Sequence, residues 1–313
     1  MPEYAIGLDL GGTNLRAAAI DRAGHVLDRR ATATNPDAGR EAMLGHMVRA
    51  IAELRDVCGA GNLAGIGIGV PGFIQLQQGI IRNSNNLVCL EDFPIRAEIE
   101  HRLSAPVILE NDANAAALGE KWMGAGRDVD DLVLLTLGTG VGGGIITGGR
   151  VLQGCLGMAG ELGHMTVVPD GNPCGCGNQG CLEKHASATS ITAMADMMHL
   201  GANLSARDVY DLALAGNEKA RHIFVIMGRT LGIALASLVN IFNFPLYLLS
   251  GGVLAAWDLF APPMLDEVRR RSFAYRITQT RIEKATLGNE AGLYGAAYLP
   301  WVGQPAVNTA GKE

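Results

Sequence analysis

The chain has 313 residues, of which 48% are hydrophobic and 18% are charged, and its formal net charge is −6. This length predicts two domains, and the composition excludes a disordered, collagen-like or coiled-coil protein. The negative charge argues against a broad nucleic-acid surface, because such a surface needs clustered lysines and arginines. We therefore expect a globular protein that binds no nucleic acid.

The N-terminus does not have the pattern of a signal peptide, because Glu3 and Asp9 stand where basic and then apolar residues would be needed. The most apolar later stretch, residues 231–242, is shorter than the roughly 20 residues that a membrane span requires. We therefore expect a cytoplasmic protein that binds no membrane. A tail is expected over about residues 303–313.

The chain contains two copies of one plan of strands and turns. Residues 4–30 predict three short strands separated by glycine turns, and a similar layout begins about 127 residues later with DLVLLTL, GTGVGG, GIITG and VLQG. Helices are predicted over residues 38–57 and 218–242. The apolar runs LAGIGIGV and APVILE predict strands that are buried on both faces of a mixed or parallel sheet. We therefore expect two related α/β domains that face one another.

Three glycine turns follow predicted strands, and each can hold a phosphate on its backbone N–H groups because no Cβ blocks the approach. A single turn of this kind is more often a tight hairpin, but three in a duplicated frame favour a nucleotide site. The chain lacks a Walker A sequence, which disfavours a P-loop enzyme. The residues predicted to bind the nucleotide are Asp9, Gly11, Gly12, Thr13, Gly138, Thr139, Gly140, Gly251 and Gly252.

Few basic residues lie near these turns in the sequence. Neutralising a triphosphate would therefore fall largely to Mg²⁺ and to backbone dipoles. Asp9 can hold that ion through water, and the alternative is that Asp9 only caps a turn at the end of a strand.

Asn111 and Asp112 end an apolar strand and open an alanine-rich helix, so they are predicted at a strand-to-helix corner. A carboxylate at such a corner can accept the proton that a sugar hydroxyl loses during phosphoryl transfer. The alternative from the residues alone is that Asp112 is the N-cap of the helix that starts near Ala113.

Three closely spaced cysteines, Cys174, Cys176 and Cys181, follow His164 by ten residues or more. Three thiolates and one imidazole make a closed tetrahedral set for Zn²⁺, and a closed set leaves no position for an activated water. The sequence therefore predicts a structural zinc site, and the alternative is three free cysteines.

Four motifs resemble the ROK family of sugar kinases, namely DLGGT at 9–13, LGTGVGGGI at 137–145, GELGH at 160–164 and CGCGNQGCLE at 174–183. The resemblance runs from about residue 4 to about residue 300. It implies an actin-like (ribonuclease H-like) ATPase fold of two α/β domains, with ATP and a sugar in the cleft between them. We expect a smaller domain over residues 1–115 with a C-terminal helix over about 290–313, and a larger domain over 116–289 that carries the zinc loop.

The resemblance also implies a function, an ATP-dependent hexose kinase of carbohydrate metabolism and glycolysis that acts on the 6-hydroxyl of glucose. Asp112 would be the catalytic base. The segment around Asn86 resembles the family's Ser-Pro-Asn-Leu segment, with Asn85 in place of the proline. The sugar-binding residues implied in this way are Gly72, Asn86, Asn111, Asp112, Glu161, His164 and Glu183.

Several alternatives stay open within the same family. The sugar can instead be N-acetylmannosamine, N-acetylglucosamine or fructose, and the phosphoryl donor can be ADP or polyphosphate. A non-enzymatic alternative is a sugar-sensing regulator, but such members carry an N-terminal DNA-binding domain, and the first predicted strand here begins near Tyr4. The family resemblance also leads us to expect a homodimer or homotetramer.

Overall fold

The computed structural model describes residues 2–84 and 86–302, so Asn85 and the tail expected over 303–313 lie outside the described residues. The strands are β1 (Tyr4–Leu10), β2 (Asn14–Asp21), β3 (Val26–Ala33), β4 (Leu63–Val70), β5 (Phe73–Gln75), β6 (Ile80–Asn83), β7 (Val107–Asn111), β8 (Leu132–Leu137), β9 (Val141–Thr147), β10 (Arg150–Val151), β11 (Leu246–Ser250) and β12 (Arg281–Lys284). The helices are α1 (Arg40–Cys58), α2 (Ile95–Leu103), α3 (Asp112–Met123), α4 (Glu183–Ala186), α5 (Ala188–Met197), α6 (Ala206–Leu214), α7 (Glu218–Phe242), α8 (Trp257–Arg271) and α9 (Ala291–Val302).

Two five-stranded sheets repeat one topology. The first has the order β3-β2-β1-β4-β7 and the second the order β10-β9-β8-β11-β12. In the first sheet β1 is antiparallel to β2 and parallel to β4, and in the second β8 is parallel to β11. The predicted α/β fold and its internal duplication are confirmed. Of the run VLQG only Val151 belongs to a strand, β10, and the chain turns at Gly154, whose φ is 68°.

The chain divides into two compact units, the first of which comprises Met1–Asp130, Ile145–Ala159 and Asn289–Glu313. Its core lies between the first sheet and helices α1 and α2, and includes Leu8, Met47 and Ile66, all with no exposed surface. Burial of each large apolar side chain contributes about 1.5–3 kcal/mol to the stability of this arrangement. The domain limits expected at residues 115 and 290 stay predictions.

Helix α9 packs against β1, β4 and α3 of the first unit, and glycines permit the close approach. A Cβ on Gly67 would lie 1.9 Å from the carbonyl oxygen of Ala296, and one on Gly295 would lie 1.6 Å from that of Ala115. Gly67 is the first glycine of GIGVPG at 67–72, which matches the dinucleotide-binding pattern GxGxxG. Its place in β4 shows that this glycine serves the contact between sheet and helix.

The second unit comprises Asp131–Gly144 and Gly160–Gly288. By length and composition alone, its helix α7 could cross a membrane. The helix is longer than the apolar stretch 231–242, which the sequence predicts to be too short for a membrane span. However, 67% of its most apolar window is buried, and α7 packs along α8. This burial is typical of the central helix of a folded domain.

Candidate functional site

The first glycine turn follows β1, whose penultimate residue is Asp9. The backbone N–H of Gly11 donates to the carbonyl of Asn14 at 2.8 Å, which closes the turn. The Asp9 carboxylate is mostly buried and accepts a hydrogen bond from the Arg16 guanidinium. Burial raises the pKa of Asp9, and Arg16 opposes that shift. Arg16 thus supplies the positive charge beside a carboxylate that the sequence assigned to a Mg²⁺ ion.

Arg16 was missed by the sequence analysis, although the strand register contains the signal. Arg16 lies directly opposite Asp9 in the antiparallel pair of β1 and β2. It also approaches Glu290, with an N–O distance of 3.7 Å, and Glu290 pairs with Arg29 at 2.9 Å. The turn therefore lies beside a row of side chains of alternating charge, Asp9, Arg16, Glu290 and Arg29.

The turn at Gly12 lies against the loop that was predicted to bind the sugar. A Cβ on Gly12 would lie 3.1 Å from the Cβ of Asn86, whose side chain is exposed. Thr13 is exposed at the same turn. A predicted phosphate-binding turn and a predicted sugar-binding residue are therefore neighbours within the first unit.

Asn111 and Gly72 form a second cluster in this unit. The Asn111 Nδ2 donates to the Gly72 carbonyl at 3.2 Å, and the Asn111 Oδ1 accepts from the backbone N–H groups of Ala113 and Asn114 at 2.9 and 3.2 Å. Asn111 is thus the N-cap of α3. The alternative in which Asp112 is the N-cap is wrong, because the Asn111 amide already satisfies those donors.

Asp112 is the first residue of α3, and its side chain is exposed. Its Oδ1 accepts from the backbone N–H of Ala113 at 2.9 Å. A carboxylate in the first turn of a helix is stabilised by the helix dipole. Asp112 therefore presents an accessible carboxylate at the end of β7, where a parallel strand gives way to a helix.

Gly72 cannot carry a side chain without disturbing this cluster. Its φ is 106°, and a Cβ would lie 2.2 Å from the Asn83 carbonyl oxygen and 2.9 Å from the Ser84 Cβ. We expect Gly72→Ala to cost about 1–3 kcal/mol in backbone strain and to raise the KM for the sugar substrate. Thermal unfolding and initial-rate kinetics measure the two effects.

Gly39→Ala is the matched control for that substitution. Gly39 has a φ of 87°, yet no atom lies within 4 Å of the position of a Cβ. It therefore carries the backbone strain without the collision. An equal rise in KM for both variants would contradict the role of Gly72 at the sugar site.

In the second unit the turn after β8 packs against α4. The backbone N–H of Val141 donates to the Glu183 Oε2 at 3.2 Å, and a Cβ on Gly140 would lie 2.2 Å from the same oxygen. The Thr139 carbonyl accepts from the Thr189 hydroxyl at 2.7 Å. The structure therefore places Glu183, predicted to bind the sugar, directly against the predicted phosphate-binding turn.

The turn after β11 also lies near the end of β8. Gly251 has a φ of 102°, and a Cβ there would lie 2.3 Å from the carbonyl oxygen of Leu137. Gly252 has no atom within 4 Å of a Cβ position. The turns that begin at Gly138 and Gly251 are therefore neighbours in the second unit, as two strands of one sheet require.

His164 and three cysteines converge into one cluster, with all potential ligand atoms within 4.8 Å of one another. The His164 Nδ1 lies 3.6 Å from the Cys174 Sγ, and the Cys176 and Cys181 sulfurs are 3.7 Å apart. Three thiols and an imidazole at these distances fit a tetrahedral metal ion such as zinc. Burial, reinforced by the neighbouring sulfurs, raises the pKa of Cys181 to about 12.

Two further residues lie beside this cluster. Asn178, which the sequence analysis did not single out, donates from its Nδ2 to the Cys181 sulfur at 3.6 Å. Glu161 is half-exposed and its Oε2 lies 3.9 Å from the His164 Nε2. The ring nitrogens of His164 thus face a sulfur on one side and a predicted sugar-binding carboxylate on the other. Such contacts orient a ligand histidine.

Comparison with known proteins places the chain in a family. The sequence model of the ROK family matches residues 5–301, and the chain therefore belongs to this family. It is 37% identical to a glucokinase of Halalkalibacterium halodurans, with 95% of this chain and 94% of that protein covered.

Two solved structures support this assignment. A ROK hexokinase from Thermus thermophilus is 38% identical over 94% of this chain and 96% of its own, with a TM-score of 0.86. A ROK family glucokinase from Streptomyces griseus, solved in complex with glucose and AMPPNP, is 33% identical over 96% of this chain and 100% of its own, with a TM-score of 0.77. The chain therefore has the actin-like ATPase fold of the ROK sugar kinases.

Proposed function

We propose that this chain is an ATP-dependent glucose kinase in which Asp112 is the catalytic base. The observation that carries the proposal is the exposed Asp112 carboxylate at the end of β7, presented by the capped N-terminus of α3. The relatives named glucokinase and hexokinase support the same activity. The reaction transfers the γ-phosphoryl group of ATP to the 6-hydroxyl of the sugar.

The chemical step needs one proton acceptor and an electrostatic environment for phosphate. A bond forms between the sugar oxygen and the γ-phosphorus while the bond to the bridging oxygen of ADP breaks, and the hydroxyl proton passes to the Asp112 carboxylate. Asn111 is fixed at both ends of its amide, which holds the adjacent Asp112 backbone in place. The base therefore needs little reorganisation when the sugar binds.

We assign to the sugar the residues that the family resemblance implies. Gly72, Asn86 and Asn111 would supply a carbonyl and two amides. Glu161, His164 and Glu183 would supply two carboxylates and an imidazole. Hydroxyl groups donate and accept hydrogen bonds, so a hexose needs acceptors and donors of this kind on several sides.

The nucleotide phosphates are assigned to the glycine turns. Gly11, Gly12, Gly138, Gly140 and Gly251 end or follow strands, where backbone N–H groups can approach an anion. Asp9 is the residue that would hold Mg²⁺ through water, and the ion when bound would neutralise charge on the phosphates. A Mg²⁺ ion there would compete with Arg16 for the Asp9 carboxylate.

The metal cluster is assigned to a structural zinc ion. His164, Cys174, Cys176 and Cys181 form a complete set of four ligands, so the site would stabilise the surrounding loop and supply no catalytic water. Because His164 also faces Glu161, the ion would fix two sugar ligands together. We further assign the enzyme to the cytoplasm, where cysteines stay reduced, and to a homodimer or homotetramer.

A panel of sugars tests the proposed activity. Release of ADP from Mg-ATP is measured with zinc-replete protein and with glucose, mannose, fructose, N-acetylglucosamine and N-acetylmannosamine. We expect the highest kcat/KM with glucose. A preference for an N-acetyl sugar would be consistent with the mechanism but would contradict glucose as the substrate. No turnover with any sugar would favour the regulator hypothesis. Replacement of ATP by ADP or polyphosphate tests the donor.

A further inference from the structure

A buried carboxylate lies close to the proposed base in the chain, at the end of β7. Glu110 is the penultimate residue of β7, is 1% exposed, and precedes Asp112 by two positions. Its Oε1 accepts from the Asn111 backbone N–H at 2.9 Å and from the Asn114 Nδ2 at 3.0 Å. Its Oε2 accepts from the Gln153 Nε2 at 2.7 Å. A buried carboxylate is costly unless hydrogen bonds satisfy it, and here three donors do so.

The three donors come from three different places in the first unit. Asn111 is the N-cap residue of α3, Asn114 lies in the first turn of that helix, and Gln153 lies in the segment after β10. All three donors are neutral amides, so Glu110 has no ion-pair partner among them. Burial raises the pKa of Glu110, while the three donors act in the opposite direction.

We propose that Glu110 and Gln153 are positioning residues that hold Asn111 and Asp112 in the geometry for proton transfer. Glu110 accepts from the backbone N–H of the N-cap residue Asn111 and from the side chain of Asn114 in the first turn of α3, and Gln153 holds the second oxygen of that carboxylate. Displacement of a reacting group by about 1 Å can reduce the rate on the order of 100-fold. Neither Glu110 nor Gln153 is assigned a contact with substrate.

Exchange of the two side chains tests this role. In Gln153→Glu the amide donor to Glu110 is lost, and the two facing carboxylates must either repel each other or take up a proton that neutralises one of them. In the double variant Glu110→Gln, Gln153→Glu the amide and the carboxylate trade places. The amide oxygen at position 110 can still accept from Asn111 and Asn114, while the amide nitrogen of the same side chain donates to the carboxylate at position 153. All three hydrogen bonds can therefore form again.

We expect Gln153→Glu to lower kcat for glucose phosphorylation about 30- to 100-fold, with the KM for ATP within about twofold of the wild type. The exchanged pair is expected to recover kcat to within about threefold of the wild type. Gln77→Glu is the matched control, because Gln77 is an exposed glutamine of the same unit. If Gln153→Glu does not fold, Gln153→Ala removes the donor without a second carboxylate and is expected to lower kcat about tenfold.

Two outcomes would overturn the inference. Wild-type kcat in a Gln153→Glu variant whose Tm is lowered would make Glu110 a purely structural residue. Failure of the exchanged pair to recover, when it folds as stably as the wild type, would show that the network does not position Asp112.

The inference rests on the proposed kinase function, and hydrogen exchange separates the two. Absence of glucose turnover by the wild type refutes the function alone. The backbone amides of Ala113 and Asn114 then report on the network, because Gln153→Glu should speed their exchange and the exchanged pair should restore their protection. Unchanged protection in Gln153→Glu would overturn the positioning role whether or not the chain is a kinase.

Discussion

Replacement of Asp112 by Asn is expected to lower kcat for glucose phosphorylation by about 10²- to 10⁴-fold, the usual contribution of a general base. The amide keeps the shape of the side chain but cannot accept the hydroxyl proton. The KM for ATP should change by less than about twofold, because Asp112 is not assigned to the nucleotide. Initial rates of ADP release over a range of glucose and ATP concentrations measure both quantities.

The N-terminus of α7 resembles that of α3 and offers a matched control. Asn217 caps α7 with its side chain, and Glu218 is the exposed first residue of that helix, as Asn111 and Asp112 are for α3. Glu218→Gln removes the same helix-dipole interaction, about 0.3–1 kcal/mol, without touching the proposed base. Equal losses of kcat in the two variants would show that the effect is one of stability and would refute Asp112 as the base.

The fold was predictable because its signals are local. Apolar runs without alternation marked the buried strands β4 and β7, and the recurrence of one plan of strand and glycine turn marked the duplication. The two sheets repeat that plan with the same strand order. The fold class depends on such patterns, and a single sequence contains them.

The predicted site residues were found by motif, but the contacts that hold them were not. Gln153 lies 43 positions from Glu110 in the sequence, and no periodicity connects them. Arg16 could have been inferred from the hairpin register, whereas the N-cap role of Asn111 required the path of the backbone. Polar networks are formed by tertiary packing, and a sequence pattern reports mainly the element on which each member lies.

Loss of one cysteine ligand is expected to have the second large effect. Cys176→Ala leaves three ligands for a metal ion that the four-residue cluster would bind tetrahedrally. We expect the zinc content to fall from about one ion per chain to less than half, and Tm to fall by about 5 °C or more. The KM for glucose should rise about tenfold, because His164 and Glu161 would lose their fixed orientation. Elemental analysis, thermal unfolding and kinetics measure these three quantities.

Cys155→Ala is the matched control, because Cys155 and Cys176 are both exposed and Cys155 lies outside the cluster. It should leave the zinc content, Tm and the KM for glucose unchanged. If the three cysteines are free thiols, the wild type will contain no bound zinc, and the two variants will not differ in zinc content, Tm or the KM for glucose. Zinc loss with an unchanged KM would keep the metal site but separate it from the sugar. A change in all three quantities for Cys176→Ala alone would instead make the ion the common support of His164 and Glu161.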